Sequence, residues 1–355
     1  MLNLDNLNAI KRLDKTNMLG SIDLLHKQVG QTWNDIQEFE VPDNYKNVKK
    51  VIINGMGGSG IGGHIVRTLF SDKIKIPVMQ INSYKIPECL DRNTLYIVSS
   101  YSGTTEEPLT EIGKAVKKKA KVIGITTGGK QKIIFDKYEL PYFNFEPLYN
   151  PCDQPRMGLG YSIFGQVGIF ERCGLIDIKD KQVEEVRKVL RASVNRFGSK
   201  ISIKTNIAKQ TAKKLCGKIP IIIASEFLEG NAHTMANQIN ENAKNFAAYH
   251  LISELNHHLM EGLKHPKSNS KNLFFLFINS DLYYSRNQKR YSITQDVVEK
   301  NKVGWTEFKP KSKTKLLQAF EVLSFGSYVG FYLAMLNGLN PAPIPYVDYF
   351  KERLS

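Results

Sequence analysis

The sequence predicts an α/β fold with two domains, each a parallel sheet flanked by helices. Short apolar runs that end at glycine or polar residues alternate with segments whose apolar residues recur at helical spacing. The same order returns in the second half of the chain. Such alternation is typical of parallel sheets covered by helices. A length of 355 residues fits two domains of about 150 residues each.

The first domain is predicted from four strand-like runs. They lie at residues 49–54, 78–81, 94–99 and 121–126. Helices are predicted at residues 61–70 and 107–117, and residues 1–45 are expected to form two leading helices, one of them near residues 10–25. Proline and glycine break the pattern at residues 151–160.

The second domain follows from the same kind of pattern. Its strands are predicted at residues 219–224 and 272–278. The helices of this half are predicted at residues 161–172, 183–197, 231–240, 294–300, 315–335 and 347–354. We therefore predict an N-terminal domain over residues 1–160 with its leading helices. Residues 161–355 are expected to form the C-terminal domain, with a helical linker and a C-terminal helix.

Composition narrows the classes of function. The net charge is +15, but the lysines are scattered along the chain, which favours a solvated surface and no nucleic-acid partner. The four cysteines are far apart and form no CxxC pair, which argues against disulfides and zinc and favours a reducing, cytoplasmic location. The N-terminus lacks the apolar core of a signal peptide, and the most apolar segment, 325–335, is interpreted as a buried helix with no membrane partner.

A glycine-rich loop follows the first predicted strand. The segment GMGGSGIGG at residues 55–63 holds six glycines in nine residues and precedes a helix, whose first amides suit an anion. The segment also matches GxGxxG, but the acidic residue that a nicotinamide cofactor requires is absent from residues 79–83. We therefore predict an anion site and no cofactor.

A second loop follows the third predicted strand. The segment SSYSGTTEE at residues 99–107 crowds the hydroxyls of Ser100, Ser102, Thr104 and Thr105 into one turn before a helix. Thr104 or Thr105 could cap that helix, but capping accounts for one hydroxyl and not for four. Both loops follow strands of one parallel sheet, so we expect them to face one crevice that binds a phosphate monoester.

Candidate acid–base residues lie further along the chain. Glu241 is surrounded by amide and lysine donors in the segment NENAKN, although a surface helix would explain that segment as well. Arg156 lies in a rigid proline and glycine frame, and a surface arginine in a linker is the alternative. His257 and His258 point about 100° apart on a helix, and HExxH is absent, so no metal site is predicted.

The second loop carries a family resemblance. SSYSGTTEEP resembles the SYSGxTxET signature of sugar-isomerase (SIS) domains, which hold the phosphate of phosphosugars. Together with GMGGSGIGG, it is similar to the bifunctional phosphoglucose/phosphomannose isomerases of archaea and bacteria, over essentially the whole chain. The resemblance implies two SIS-type domains. It also implies a phosphate site formed by the following residues of the two loops: Gly58, Ser59, Ser100, Ser102 and Thr105.

The resemblance also implies a reaction and its catalytic residues. The reaction is the interconversion of glucose 6-phosphate, and of mannose 6-phosphate, with fructose 6-phosphate through a cis-enediolate. Glu241 aligns with the proton-transferring base, and Arg156 with the residue that stabilises the enediolate. His257, in a segment like ELNHNEIxG, aligns with the residue that opens the sugar ring, assisted by Lys351 near the C-terminus. Read alone, Lys351 would be a solvated helix residue.

Two departures from the family motifs bear on the catalytic residues and on specificity, and two alternative functions are retained. His258 replaces an asparagine of the motif, and Ala342 stands near a position where relatives often carry threonine, which bears on sugar specificity. The alternatives are an SIS isomerase of amino-sugar or pentose phosphates and a non-catalytic phosphosugar-binding module.

The spacing of two candidate residues raises the question of assembly. Glu241 and His257 are 16 residues apart, about 24 Å in one continuous helix, which is too far for one sugar. Either the chain folds back near residues 247–249, or the histidine comes from a second copy of the chain. The resemblance implies the second option, a homodimer in which His257 is donated across the interface.

Overall fold

Two parallel sheets, one from each half of the chain, frame the protein in a computed structural model that describes residues 2–354. Three helices precede the first sheet: α1 (Leu7–Leu13), α2 (Met18–Asp23) and α3 (Leu25–Gln37). The prediction of two leading helices, one near residues 10–25, was wrong. The predicted helix is interrupted at Asn17, which has a left-handed backbone conformation. The Asp14 carboxylate accepts hydrogen bonds from the amides of Met18 and Leu19 there.

The first half then alternates strand and helix. Its elements are β1 (Lys50–Asn54), α4 (Gly57–Leu69), β2 (Val78–Ile81), β3 (Thr94–Ser99), α5 (Glu106–Thr110), α6 (Ile112–Lys117), β4 (Lys121–Thr126), α7 (Gly129–Lys137) and β5 (Tyr142–Asn144). Within residues 2–354, β2-β1-β3-β4-β5 form one parallel sheet in this order. The central strand β3 is buried throughout, as its apolar sequence TLYIVS predicts. The predicted helix over residues 107–117 is divided into α5 and α6 at Glu111.

Three helices lead from the first sheet to the second. They are α8 (Leu159–Arg172), α9 (Asp180–Phe197) and α10 (Ile207–Leu215). The second half contains β6 (Ile219–Ala224), α11 (Glu229–Ala243), β7 (Ala248–Leu251), α12 (Leu259–Gly262), α13 (Asn269–Asn272), β8 (Leu273–Ile278), α14 (Ser285–Lys300), β9 (Gly304–Phe308), α15 (Lys315–Leu336) and α16 (Pro345–Leu354). Within residues 2–354, β7-β6-β8-β9 form the second parallel sheet.

The predicted fold class is confirmed, and both sheets are flanked by helices. The short strands β5, β7 and β9 escaped the sequence analysis because their three to five residues mix apolar and polar side chains without a clear period. The two sheets lie on either side of residue 160, and the domain boundary at that residue stays a prediction.

One apolar core continues through both halves. Helix α8 packs against α3 and α4, α4 packs against α11, and α15 packs against α9, α10 and α11. By length and composition alone α15 could cross a membrane, but 94% of its most apolar stretch is buried inside the protein. That burial agrees with its predicted role as a core helix. The continuous core holds the ends of α4 and α11 in a fixed relation to each other.

Candidate active site

The glycine-rich loop and the hydroxyl-rich loop are joined directly to each other. β1 and β3 are neighbours in register, so the loops that follow them leave the sheet side by side. The amide of Tyr101 donates a hydrogen bond to Ser59 Oγ at 2.8 Å, and Ser99 Oγ donates to the Ser59 carbonyl at 3.2 Å. Ser59 therefore belongs to both loops. The two loops therefore lie side by side, and the crevice that they would form for a phosphate stays a prediction.

The hydroxyls of the second loop bond to one another and do not cap the helix. Thr105 is the N-cap residue of α5, yet its side chain makes no capping hydrogen bond. Ser100 Oγ donates to Thr105 Oγ1 at 2.9 Å, and Ser102 Oγ lies 2.8 Å from Thr104 Oγ1. Gly103 closes the turn with a φ of 65°, and a Cβ there would collide with the carbonyl of Gly128. Thr105 Oγ1 therefore keeps its own proton available for a ligand.

The first turn of α4 also contacts the segment that carries Arg156. A Cβ at Gly58 would lie 2.7 Å from the backbone nitrogen of Arg156 and 2.7 Å from the carbonyl carbon of Pro155. Only glycine permits this approach. Ser162 Oγ, on α8, donates to the carbonyls of Gly58 and Ser59 and holds the turn from the other side. The phosphate loop and the arginine are therefore parts of one packed structure.

Arg156 is buried, and four hydrogen bonds to other residues hold its guanidinium. The side chain is 2% exposed, and Nε donates to Asn242 Oδ1 at 2.7 Å. Nη1 donates to Gln154 Oε1 at 2.8 Å and lies 3.7 Å from Glu241 Oε2. Nη2 donates to the carbonyls of Pro341 and Ala342 at 3.1 and 2.6 Å. The guanidinium therefore acts on the site as a fixed positive charge beside Glu241.

Glu241 combines partial burial with nearby cations. The residue lies in the last turn of α11, and its side chain is 28% exposed. Burial raises the pKa of this carboxyl above its ordinary value, while the charges of Arg156, Lys244 and Lys351 oppose that rise. A carboxylate whose pKa is raised is a stronger base than a solvated one and is suited to accept a proton from carbon.

Lys244 is a site residue whose contacts the sequence analysis did not identify. It ends α11 in the left-handed conformation with a φ of 49°, and its Nζ donates to the Pro341 carbonyl at 2.9 Å. Partial desolvation of the ammonium group and the nearby Arg156 lower its pKa to about 8. The NENAK segment already placed a lysine three residues after Glu241, but only the tertiary structure shows what it binds.

Two cations therefore clamp the turn that leads to α16. Arg156 and Lys244 both donate to carbonyls at Pro341, and this turn precedes the helix that carries Lys351. Lys351 acts on the pKa of Glu241, and Asp348 on the same helix acts on Arg156. No residue of α16 is buried. The tertiary structure thus brings together Arg156, Glu241 and Lys351 from segments far apart in the sequence.

His257 lies away from Glu241. The chain does fold back after Lys244, and β7 then runs parallel to β6. Glu241 precedes the amino end of β7 and His257 follows its carboxyl end, and the strand alone spans about 10 Å. His257 is exposed on a short 3₁₀ turn, Glu254–His257. The fold-back therefore places the histidine at the carboxyl ends of the strands of the second sheet, opposite the end where Glu241 lies.

No metal ligand cluster was found among residues 2–354, since no group of three or more His, Cys, Asp or Glu side chains there could hold an ion. His258 lies 3.9 Å from the carboxylate of Glu254.

Comparisons with known proteins identify the fold and the family of the chain. A family model of the bacterial phospho-glucose isomerase C-terminal SIS domain matches residues 204–354. A hypothetical protein from Thermus thermophilus superposes with a TM-score of 0.75 at 15% identity, over 98% of this chain and 94% of that protein, which shows a shared fold.

Two curated relatives are closer in sequence. A bifunctional phosphoglucose/phosphomannose isomerase from Caldicellulosiruptor bescii is 35% identical over 340 residues, which covers 95% of this chain and 99% of the relative. A protein of the same name from Thermoplasma acidophilum is 31% identical over 309 residues, covering 86% and 89%. With its two SIS-type sheets, its paired loops and this identity over nearly its whole length, the chain belongs to the family of bifunctional phosphoglucose/phosphomannose isomerases.

Proposed function

We propose that this protein interconverts glucose 6-phosphate and mannose 6-phosphate with fructose 6-phosphate. The observation that carries the proposal is the contact between Gly58 and the backbone of residues 155–156, which joins the phosphate loops to Arg156 and Glu241. A phosphate cradle next to a carboxylate is what an aldose–ketose isomerase of phosphosugars requires. The relatives named for this activity support the proposal.

The two loops would hold the phosphate group. The first-turn amide of α4 at Gly58 and the hydroxyls of Ser59, Ser102 and Thr105 would supply donors for its oxygens. Ser100 would orient the Thr105 hydroxyl, to which it donates its own proton. Hydrogen bonds to a charged acceptor are stronger than neutral ones, so these donors would fix the sugar at its phosphate end. The rest of the sugar would then extend past Gly58 toward Arg156.

Glu241 would transfer the proton between carbons. After ring opening, its carboxylate removes the C2 proton of the aldose, and the electron pair of that bond forms the C1–C2 double bond of a cis-enediolate. The same proton returns to C1, while a proton moves from O2 to O1, so the product is the ketose and nothing else is consumed. The positive charge of Arg156 would stabilise the enediolate electrostatically.

Ring opening is assigned to His257, assisted by Lys351, and we infer that the histidine comes from a second copy of the chain. Its position beyond the carboxyl end of β7 supports donation to another molecule. Exposed apolar side chains on α16 and near Lys244 support a covered face: Tyr346, Tyr349, Phe350 and Phe246 are 88, 61, 56 and 69% exposed. The proposed assembly is a homodimer with two shared sites.

The proposed setting is the cytoplasm, where phosphorylated hexoses are substrates. The free thiols of Cys89, Cys152, Cys173 and Cys216 are compatible with a reducing compartment. Neither a nucleic-acid nor a membrane partner belongs to the proposal.

A coupled assay tests the proposal. Purified protein is supplied with glucose 6-phosphate or mannose 6-phosphate, and fructose 6-phosphate is measured. Glucosamine 6-phosphate and ribose 5-phosphate serve as matched phosphosugars. We expect turnover of both hexose phosphates and a much lower rate with the other two. Binding without turnover would favour a phosphosugar-binding module, and preferred turnover of the amino or pentose sugar would favour a different SIS isomerase.

A further inference from the structure

The turn that presents His257 is anchored on both sides of the exposed histidine. Leu255 is 1% exposed, and Ile252, at the base of the turn, is 3% exposed. The Ile252 amide donates to the Ala224 carbonyl, and its carbonyl accepts from Ser225 Oγ at 2.6 Å. Among residues 2–354, no hydrogen bond or ion pair involves the His257 ring. The position of its imidazole therefore depends on the backbone of the turn.

Asn256, the residue before the histidine, forms hydrogen bonds through both the nitrogen and the oxygen of its side-chain amide. Asn256 Nδ2 donates to Thr294 Oγ1 at 2.8 Å, and Asn256 Oδ1 accepts from Arg290 Nη1 at 3.2 Å. Thr294 Oγ1 in turn donates to the Arg290 carbonyl at 2.7 Å. The threonine is 0% exposed. Because its hydroxyl proton is used within α14, the Thr294 oxygen acts as a hydrogen-bond acceptor toward the asparagine.

These bonds connect the turn to α14, a helix of 16 residues. Arg290 and Thr294 are four residues apart, so both face the same side of α14. That helix is buried at Tyr291, Thr294 and Val298, beneath the second sheet. The hydrogen bonds of Asn256 thereby fix the backbone next to His257 against α14. A histidine that acts on a sugar oxygen needs such rigidity, because proton transfer requires hydrogen-bond distance.

We propose that Asn256 and Thr294 are positioning residues for His257, and that they serve ring opening and not proton transfer between carbons. The proposal rests on the proposed function, since it concerns the same reaction. It predicts that the two steps respond differently to the loss of one hydroxyl. A purely structural role of these residues would affect both steps together or change only the stability of the fold.

The test isolates ring opening in a Glu241→Gln background, where proton transfer between carbons is removed. Enzyme-catalysed exchange between the two anomers of glucose 6-phosphate is measured by NMR exchange spectroscopy. Thr294→Val, which keeps the shape and removes the hydroxyl, should slow this exchange at least about tenfold. The dissociation constant for 6-phosphogluconate, an open-chain sugar phosphate, should stay unchanged. Thr294→Ser should restore the exchange, since it keeps the hydroxyl.

Ser292→Ala is the matched control. Ser292 is an exposed residue of α14 whose hydroxyl bonds back to the Lys289 carbonyl, as that of Thr294 bonds back to Arg290. If Thr294→Val does not fold, Arg290→Met removes the other anchor from a partly exposed side chain and should give the same slowing.

The outcomes separate this inference from the proposed function. Unchanged anomer exchange in Thr294→Val, or a loss of 6-phosphogluconate binding with it, would overturn the inference while wild-type isomerisation still stands. If the wild type isomerises but Glu241→Gln catalyses no anomer exchange, ring opening requires Glu241 as well as the His257 turn. The inference then also fails. A wild type without isomerase activity would overturn the proposed function itself.

Discussion

Glu241 shows how one residue can combine two opposing influences. Burial at the end of α11 raises its pKa, and the charges of Arg156, Lys244 and Lys351 oppose that rise in part. The nearest cation, Arg156, is buried and held by four hydrogen bonds, which fix its charge beside Glu241.

The Glu241→Gln substitution tests the assigned base. The amide keeps the volume of the side chain but cannot accept a proton, so we expect a loss of kcat of about 10²–10⁴-fold with little change in substrate binding. Steady-state isomerisation and calorimetric binding of 6-phosphogluconate are the measurements. Glu299→Gln, at an exposed position of α14, is the matched control and should retain full activity. Near-normal turnover of Glu241→Gln would exclude the assignment.

The pH dependence of kcat/KM reports the pKa of Glu241 in the enzyme without bound substrate. The base must be ionised, so activity should fall as the pH drops through the raised pKa of Glu241. Lys244 lowers that pKa, and Lys244→Met should therefore raise it and move the acid limb of the profile to higher pH. Lys313→Met, at an exposed lysine, is the control and should leave the limb in place. A limb that stays in place or moves to lower pH in Lys244→Met would contradict the coupling.

At the scale of elements, the glycine-rich loop and the hydroxyl-rich loop depend on one register of the first sheet. β1 and β3 pair from Lys50 with Thr94 onward, so both strands end together and Ser59 can accept the amide of Tyr101. A slip of one residue would reverse the side chains and separate the loops. The sheet therefore determines the position of the site, and the loops supply its chemistry.

The double substitution Ser100→Ala and Thr105→Ala tests the hydroxyl-rich loop. Each lost hydrogen bond to a charged phosphate is worth about 1.5–3 kcal/mol, so KM should rise by at least about tenfold, with a smaller effect on kcat. Steady-state kinetics with glucose 6-phosphate provide the measurement. Thr110→Ala, which removes an exposed hydroxyl bonded to the Glu106 carbonyl, is the control. An unchanged KM would show that the loop hydroxyls do not hold the phosphate.

Removal of residues 345–355 tests the role of α16. Because the helix buries no residue, its loss should leave the free energy of unfolding of the remaining chain nearly unchanged. Activity should fall at least about a hundredfold, because Lys351 is lost while the clamp at Pro341 remains. Urea unfolding and the coupled assay measure the two effects. Lys351→Met should reproduce most of the loss and Arg353→Met little of it; full activity after truncation would exclude Lys351 from the site.

At the scale of the whole molecule, the site lies between the two halves of the chain. The first sheet supplies the phosphate loops, α11 supplies Glu241, and the segment after α15 supplies the turn that Arg156 and Lys244 clamp. The packing of α4 against α11 brings these parts together through one apolar core. His257, the proposed ring-opening residue, lies outside this cluster.

Mixed dimers test the shared site. Glu241→Gln and His257→Ala proteins are unfolded together and refolded, so that random pairing makes about half of the dimers mixed. By two-fold symmetry, one site of each mixed dimer carries both defects and the other carries neither, and about a quarter of wild-type activity should return. Differently tagged chains verify that mixed dimers form. If they form and remain as inactive as each variant alone, Glu241 and His257 act within one chain.

The sequence by itself determined the fold class, the inner strands of both sheets and the two loops, because apolar runs, glycine loops and hydroxyl clusters are local patterns. The bounds of β2, β3, β4 and β6 agree with the runs from which they were predicted. The roles of Glu241, His257 and Lys351 came from resemblance and stay proposals.

Only the tertiary structure decided which distant groups meet. The donation of Arg156 to the carbonyls at 341 and 342, the clamp by Lys244 and the separation of His257 from Glu241 depend on packing between segments up to 186 residues apart. No local pattern encodes such contacts, because they follow from how α4 and α11 pack across the core. The break of the leading helix at Asn17 was also missed, because the Asp14 carboxylate competes there with the helical hydrogen bonds.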